Sequence, residues 1–194
     1  MVEVRRLARA EAENAFDELA LLRIEVFRDF PYLYEGDLDY ERRYLATTVA
    51  SPGAVIVGAL DGGRLVGAAT ASPLADHFDE FAAPFAERSL DPAQYFYFGE
   101  SVLRKPYRGR GAGVRFFEER ERAAREAGFA QCVFSAVVRP TDHPARPADY
   151  RPLDGFWSRR GYSRIEGLST GFSWRDVGEA GETVKPMAFW SKRL

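Results

Sequence analysis

Residues Tyr95–Val138 read YFYFGESVLRKPYRGRGAGVRFFEERERAAREAGFAQCVFSAVV. The first nine are β-rich and run into a basic turn, Arg104 to Gly109, that contains Pro106. A helical pattern follows to about Ala127, with Phe116, Ala123, Ala124 and Ala127 on one side. Glu118–Arg122 and Glu121–Arg125 are spaced for i,i+4 ion pairs on the other side, and Gly128 is a natural stop. Gln131–Val138 is an almost continuous apolar run, as expected of a strand buried on both faces. Strand, helix and buried strand in this order make a βαβ crossover, which is right-handed.

The flanking segments extend this centre. VEVRRL alternates like a short strand, and from Glu11 a helical face gathers Phe16, Leu19, Ala20, Ile24 and Phe27. Pro31 and Gly36 break it, and a second helix is expected from about Tyr40 to Val49. AVIVGAL and RLVGAAT flank Asp61-Gly62-Gly63, the mark of a tight hairpin. Phe78, Phe81 and Phe85 recur at helical spacing, which predicts an inserted amphipathic helix packed on the core. After Arg139–Asp154, a long connection with four prolines, come a helix and two strands. No repeat, linker or low-complexity segment interrupts residues 1–194. The expectation is one α/β (α+β) domain with a mixed, mostly antiparallel sheet, a central βαβ crossover and flanking helices.

Composition narrows the function. The 194 residues hold 27 basic and 29 acidic side chains, a net charge of -2. That balance argues against general nucleic-acid binding, which needs a basic face. A single cysteine, Cys132, excludes an internal disulfide. The first residues lack the apolar run of a signal peptide, and no stretch is long enough to span a membrane. A cytoplasmic protein, with neither a nucleic acid nor a membrane as partner, is expected.

The turn RGRGAG has chemical potential of its own. Between a strand and a helix start it exposes unpaired N–H groups at the positive end of the helix dipole. Its glycines permit positive φ and close approach, and Arg108 and Arg110 add fixed charge. The combination suits a phosphate or pyrophosphate. The spacing fails the dinucleotide fingerprint, because Val114 stands where its last glycine belongs, and no P-loop lysine follows. A turn that only lets the helix pack closely would have the same glycines.

Arg108-x-x-Gly111-x-Gly113 after a strand ending SVL resembles the R/Q-x-x-G-x-G/A motif of the GNAT superfamily of acyl-CoA-dependent N-acetyltransferases. The later segment LDGFWSRRGYSRI resembles that family's helix-and-strand element, and the order of elements fits over nearly the whole chain. The resemblance implies acetyl-CoA as acyl donor. Backbone amides from Arg108 through Gly109, Arg110, Gly111 and Ala112 to Gly113 would hold its pyrophosphate. Ser101, Val102 and Leu103 would pair with its pantetheine arm as an added strand. In the family the two parallel strands splay apart to admit that arm, and Gly99 is a sensible place for the accompanying bulge.

N-acetylation requires a neutral amine. With a pKa near ~10.4, an alkyl amine reaches that form at pH 7 at a cost on the order of 4 kcal/mol, so a base is useful. Glu100, on the central strand, is the candidate. Strict alternation places it with Phe96, Phe98 and Val102, where desolvation would raise its pKa; a bulge at Gly99 would redirect it. Trp157 stands where many family members carry a tyrosine acid, and tryptophan cannot take that role. Tyr150, shortly before it, is a candidate cofactor contact or substitute donor, and Trp157 itself is expected at the cofactor. Cys132 and His143 read as packing and loop residues, and His77 and His143 lie too far apart in sequence for a histidine metal site.

The acceptor side is expected in PYLYEGDLDYE, where Tyr32, Tyr34, Glu35, Asp37, Asp39 and Glu41 would favour a cationic small-molecule amine. A solvated acidic loop has the same composition. Two other functions stay open: an acyl-CoA-binding sensor or interaction module without turnover, and acetylation of a protein lysine or N-terminus. The acceptor's identity and the oligomeric state, including a homodimer, are not fixed by the sequence.

Overall fold

The computed structural model describes residues 2–194. In chain order the elements are β1 (Glu3–Arg6), α1 (Arg9–Asn14), α2 (Phe16–Phe27), α3 (Leu38–Ala50), β2 (Val55–Asp61) and β3 (Arg64–Pro73). Then come α4 (Asp79–Glu87), β4 (Tyr95–Leu103), α5 (Ala112–Glu126), β5 (Gln131–Val137), α6 (Asp154–Ser158), β6 (Ser163–Trp174) and β7 (Thr183–Arg193). The helix expected from Glu11 is two helices that meet at Ala15, whose φ of -94° and ψ of 6° break the α geometry.

All seven strands form one sheet in the order β1-β2-β3-β4-β5-β7-β6, and only β4 and β5 run parallel. This is the mixed, mostly antiparallel sheet the sequence predicts. At the β2–β3 hairpin, Gly62 and Gly63 both take positive φ, 57° and 82°, as a two-residue turn with matching twist requires. Helices cover both faces. On one, Phe116 and Phe117 of α5 and Phe156 of α6 pack on the sheet with Phe96 and Phe98. On the other, Leu19 and Leu22 of α2, Leu45 of α3 and Phe81 and Phe85 of α4 do so. Phe81 and Phe85 are buried, so the inserted helix is core packing as expected.

The parallel ladder is short. It pairs Tyr95 to Phe98 with Gln131 to Phe134 and then ends, leaving the C-terminal halves of β4 and β5 apart. On its other edge β4 carries a bulge. Between the pairs Ala69↔Ser101 and Ala71↔Phe98, Thr70 of β3 faces both Gly99 and Glu100. A Cβ at Gly99 would lie 2.5 Å from Thr70 Oγ1, so the close approach needs glycine.

The bulge corrects the expected placement of Glu100. Phe96 and Phe98 point to α5, but the extra residue resets the alternation. Glu100 and Val102 point instead to α2 and α3, where Glu100 meets Arg23 and Val102 packs with Leu19 and Leu22.

Arg120 clamps the bulge from the α5 side. It is almost completely buried and has no carboxylate among its ion pairs in the described residues. Its Nη1 donates to the Thr70 and Glu100 carbonyls at 3.2 and 3.3 Å, and its Nη2 to Ser101 Oγ at 2.8 Å. The guanidinium lies over the Phe98 ring at 4.3 Å. Burial pushes its pKa down to about 10, which still leaves it charged at neutral pH. Arg120→Met should cost about 2–4 kcal/mol of stability, because two buried carbonyls lose their donor. Urea unfolding checks this, and a loss below about 0.5 kcal/mol would contradict the clamp.

The ion pairs on α5 also differ from expectation. Glu121 and Arg125 approach to 3.8 Å, but Arg122 pairs with Glu119 and Glu126 rather than Glu118. Glu121 is drawn mainly to Lys192 at 2.8 Å and to the Tyr162 hydroxyl. A tertiary partner outcompetes the local pair. Among the described residues no helix is long and apolar enough to cross a membrane.

Candidate active site

The glycine turn delivers α5 with its N-terminus open. Gly111 is the N-cap, at φ 85° and ψ -10°, and Gly109 has φ 76°. Among the described residues nothing lies within 4 Å of a Cβ built on either, so both border open space. Among the described residues the N–H groups of Gly109, Arg110, Gly111, Ala112 and Gly113 meet no acceptor in the chain. Arg108 differs, since its N–H donates to the Lys105 carbonyl at 3.1 Å. Five free amides thus gather at the positive end of a fifteen-residue helix, the arrangement that suits an anion.

The open edge of β4 leads away from this turn. Arg104 donates its N–H to the Val66 carbonyl, and antiparallel alternation then turns the backbone of Val102 towards β3 as well. Ser101 and Leu103 therefore present their backbone groups to the gap left by β5. Arg108 Nε already bonds the Leu103 carbonyl at 2.9 Å. Of the three residues expected along a bound pantetheine arm, Val102 has its backbone in the ladder. The turn is also tied to α2 and the residues after it: Arg104 pairs with Glu25 of α2 at 2.9 Å and Lys105 with Asp29 at 3.0 Å.

Beside the splayed strands lies a cavity of about 500 Å³. Glu100, Gly99 and Tyr97 of β4 line it with Ser135 of β5, and α2, α3 and the β6–β7 connection complete its walls. Tyr32, Tyr34, Glu35, Asp37 and Glu41 from the predicted acceptor segment are lining residues; Asp39 is not. That segment is fixed from behind. Arg139, the first residue of the proline-rich connection, donates to the Pro31 and Tyr32 carbonyls, each at 2.8 Å, and pairs with Asp176 at 2.8 Å. Trp174 Nε1 donates to the Tyr32 carbonyl at 2.9 Å.

Glu100 is not a lone carboxyl in an apolar pocket. Arg23 Nη1 lies 2.7 Å from its Oε2, and the same guanidinium pairs through Nε with Oε2 of Glu41. The Tyr44 hydroxyl approaches Glu100 Oε2 at 3.4 Å, and Arg23 sits over the Tyr44 ring at 4.2 Å. Burial works against the charge on Arg23, but Glu100, Tyr44 and Glu41 outweigh it and raise its pKa. Oε1 of Glu100 and Oε1 of Glu41 are buried without a partner among the described residues. Burial also raises the tyrosines of the cavity, Tyr32 to about 12, and holds Tyr44 and Tyr97 well above the ordinary phenol value. They hold their protons at neutral pH, and Tyr44 donates its own towards Glu100. Tyr97 and Ser135 hydroxyls meet at 2.8 Å, spanning the two strands where their ladder ends.

The other candidates sit elsewhere. Tyr150 makes an edge contact with Phe30, 4.6 Å between centroids, and does not line the cavity. Trp157 packs between Phe134 and Trp190, at 5.0 and 5.1 Å. Cys132 is buried in β5, and burial pushes its thiol up to about 12, which suits packing rather than attack. His77 packs at a tilt against Tyr97 and His143 against Phe30, so the two imidazoles are in separate clusters. Among the described residues no three potential ligands gather to hold a metal ion.

Sequence reasoning overlooked Arg23, Tyr97 and Ser135. Arg23 lies beside the apolar face of α2, and a charged residue there is a recognisable signal for a buried ion pair. Tyr97 and Ser135 are ordinary strand residues in one dimension, and only the parallel register joins them.

Residues 19–148 match the sequence model of the "Acetyltransferase (GNAT) family". No curated protein matches the sequence. Among solved structures, the ribosomal-protein-alanine N-acetyltransferase of Brucella melitensis superposes with a TM-score of 0.63 at 14% identity, over 99% of each chain. Aminoglycoside 6'-acetyltransferase type Ii gives 0.60 at 15% identity, over 98% of this chain and 96% of that one. YncA of Salmonella typhimurium, solved with its cofactor acetyl-CoA, gives 0.60 at 13% identity, over 100% and 94%. By their names the first two act on very different acceptors, so likeness at this level carries the fold and not the acceptor. The free amides of Gly109 to Gly113, the left-handed Gly111 and the open edge of β4 fit a pyrophosphate joined to an extended arm. The chain belongs to the GNAT acetyltransferase family, and acetyl-CoA is its acyl donor.

Proposed function

We propose that this protein transfers the acetyl group to the primary amine of a small molecule, by direct attack in a ternary complex. One observation carries the reading: Glu100 lies at the bulge where the open edge of β4 meets the 500 Å³ cavity. Amides of Gly109 to Gly113 would hold the donor's pyrophosphate, and Ser101 and Leu103 its arm. Bound there, acetyl-CoA supplies a thioester carbonyl as electrophile.

The protein's own groups supply the rest. Glu100 takes the proton of the incoming amine, a role worth about 10²–10⁴-fold in rate. Arg23 anchors Oε2 of that carboxylate and leaves Oε1 free for the acceptor. Tyr97 and Tyr44 offer hydroxyl donors on the same wall. Aromatic side chains, among them Phe27, Phe172 and Trp174, exclude water around the site. Volume supports a small acceptor, since about 300–1,000 Å³ is the range of small-molecule pockets.

The experiment is a thiol-release assay with acetyl-CoA and a panel of primary amines, with products identified by mass. An acetylated amine and free CoA in equal amounts are expected. Acetyl-CoA bound without CoA release for any amine would instead mark a non-catalytic module. Transfer confined to peptides would mark a protein acetyltransferase.

A further inference from the structure

Glu41, Arg23 and Glu100 form a buried cluster with two acids and one base. Their exposures are 0%, 7% and 6%, and all three line the cavity. Arg23 is the only cation in ion-pair contact with either carboxylate among the described residues. Each carboxylate gives Oε2 to Arg23 and keeps a buried Oε1 with no donor. The cluster is thus one positive charge short, with two buried carboxylate oxygens left unbonded.

Buried carboxylates without full compensation are costly, so a group that supplies both deficits binds strongly there. A primary alkylammonium brings one charge and three N–H donors. The Tyr34 ring on the wall favours a cation over an anion, whereas Tyr44 lies between Arg23 and Phe78 and Trp174 is held by Arg139 and Lys185. A neutral alcohol of the same shape brings no charge. A weakly basic arylamine arrives uncharged at neutral pH and leaves the deficit in place.

We propose that the acceptor is a strongly basic aliphatic amine that enters as its ammonium ion, and that Glu41 is the residue selecting for that charge. The proposal rests on the cavity being the acceptor site and names the class of amine it takes. Glu41 acts in selection and leaves proton removal to Glu100. When Glu100 takes the proton, the pair Glu41–Arg23 remains balanced and the amine becomes neutral. The charge that aids binding is therefore also the proton that the base removes.

The test compares n-butylamine, 1-butanol and aniline by calorimetry at pH 7, with coenzyme A present so that no transfer occurs. Butylammonium should bind wild type at least about tenfold more tightly than either uncharged probe. Glu41→Gln keeps the shape and removes the charge. It should erase that preference and raise KM for butylamine by at least about tenfold, with the larger share of the loss in KM. Comparable or undetectable binding of all three probes by wild type would overturn the proposal. So would a Glu41→Gln protein that folds and keeps the preference. If that variant fails to fold, the wild-type comparison alone decides. Amine acetylation without charge preference in the thiol-release assay would sink this inference and leave the proposed function standing. No acetylation of any amine would remove the function itself.

Discussion

Glu100→Gln should lower kcat/KM for amine acetylation by about 10²–10⁴-fold, the range of a general base. Glutamine retains the size and one acceptor oxygen, so Arg23 and Tyr44 keep a partner, but the amide cannot take a proton. The pH profile separates this from a structural effect. The Gln variant should lose the dependence of rate on pH that a general base imposes. Acetyl-CoA binding should change little, because the cradle residues lie on the far side of Leu103. A variant with the wild-type profile would remove Glu100 as the base.

Gly111→Val should weaken acetyl-CoA binding by at least about tenfold, equivalent to about 1.4 kcal/mol. The cause is conformation, since among the described residues nothing lies within 4 Å of a Cβ at this position. A φ of 85° is one that L side chains rarely adopt, and forcing a β-branched residue there costs about 1–3 kcal/mol. The chain would relieve that strain by turning the peptide and unwinding the first turn of α5. Either movement takes free amides out of the cradle. Calorimetric titration with acetyl-CoA checks the effect; an unchanged dissociation constant would exclude the turn as the phosphate site.

Local chemistry made much of the fold legible. The βαβ unit showed in a β-rich run, a glycine turn, a charged helix and a continuous apolar strand, each set by short-range pattern. Asp61-Gly62-Gly63 specified its hairpin for the same reason. The glycine turn before α5 was legible because the glycines that need positive φ lie within a few residues of each other.

Contacts distant in sequence were not legible. The direction of Glu100 depends on Thr70, thirty residues away, which faces two residues of β4 where regular pairing would give one. Arg23 reads as one polar position in a helix until α3 brings Glu41 and β4 brings Glu100. Arg120 lies on the buried side of α5 because the bulge exposes carbonyls that need a donor. The segment around Tyr32–Glu41 stood out by its tyrosines and acids, but which of them line the cavity is set by Arg139 and Trp174 behind it.

A crystal structure with coenzyme A and a non-reactive amine tests the central claim most directly. The pyrophosphate should rest on the amides of Gly109 to Gly113 and the pantetheine arm beside Ser101 and Leu103. The sulfur should open into the cavity, with the amine at Oε1 of Glu100. A coenzyme bound away from the open edge of β4, or an amine site closed off from its sulfur, would contradict it.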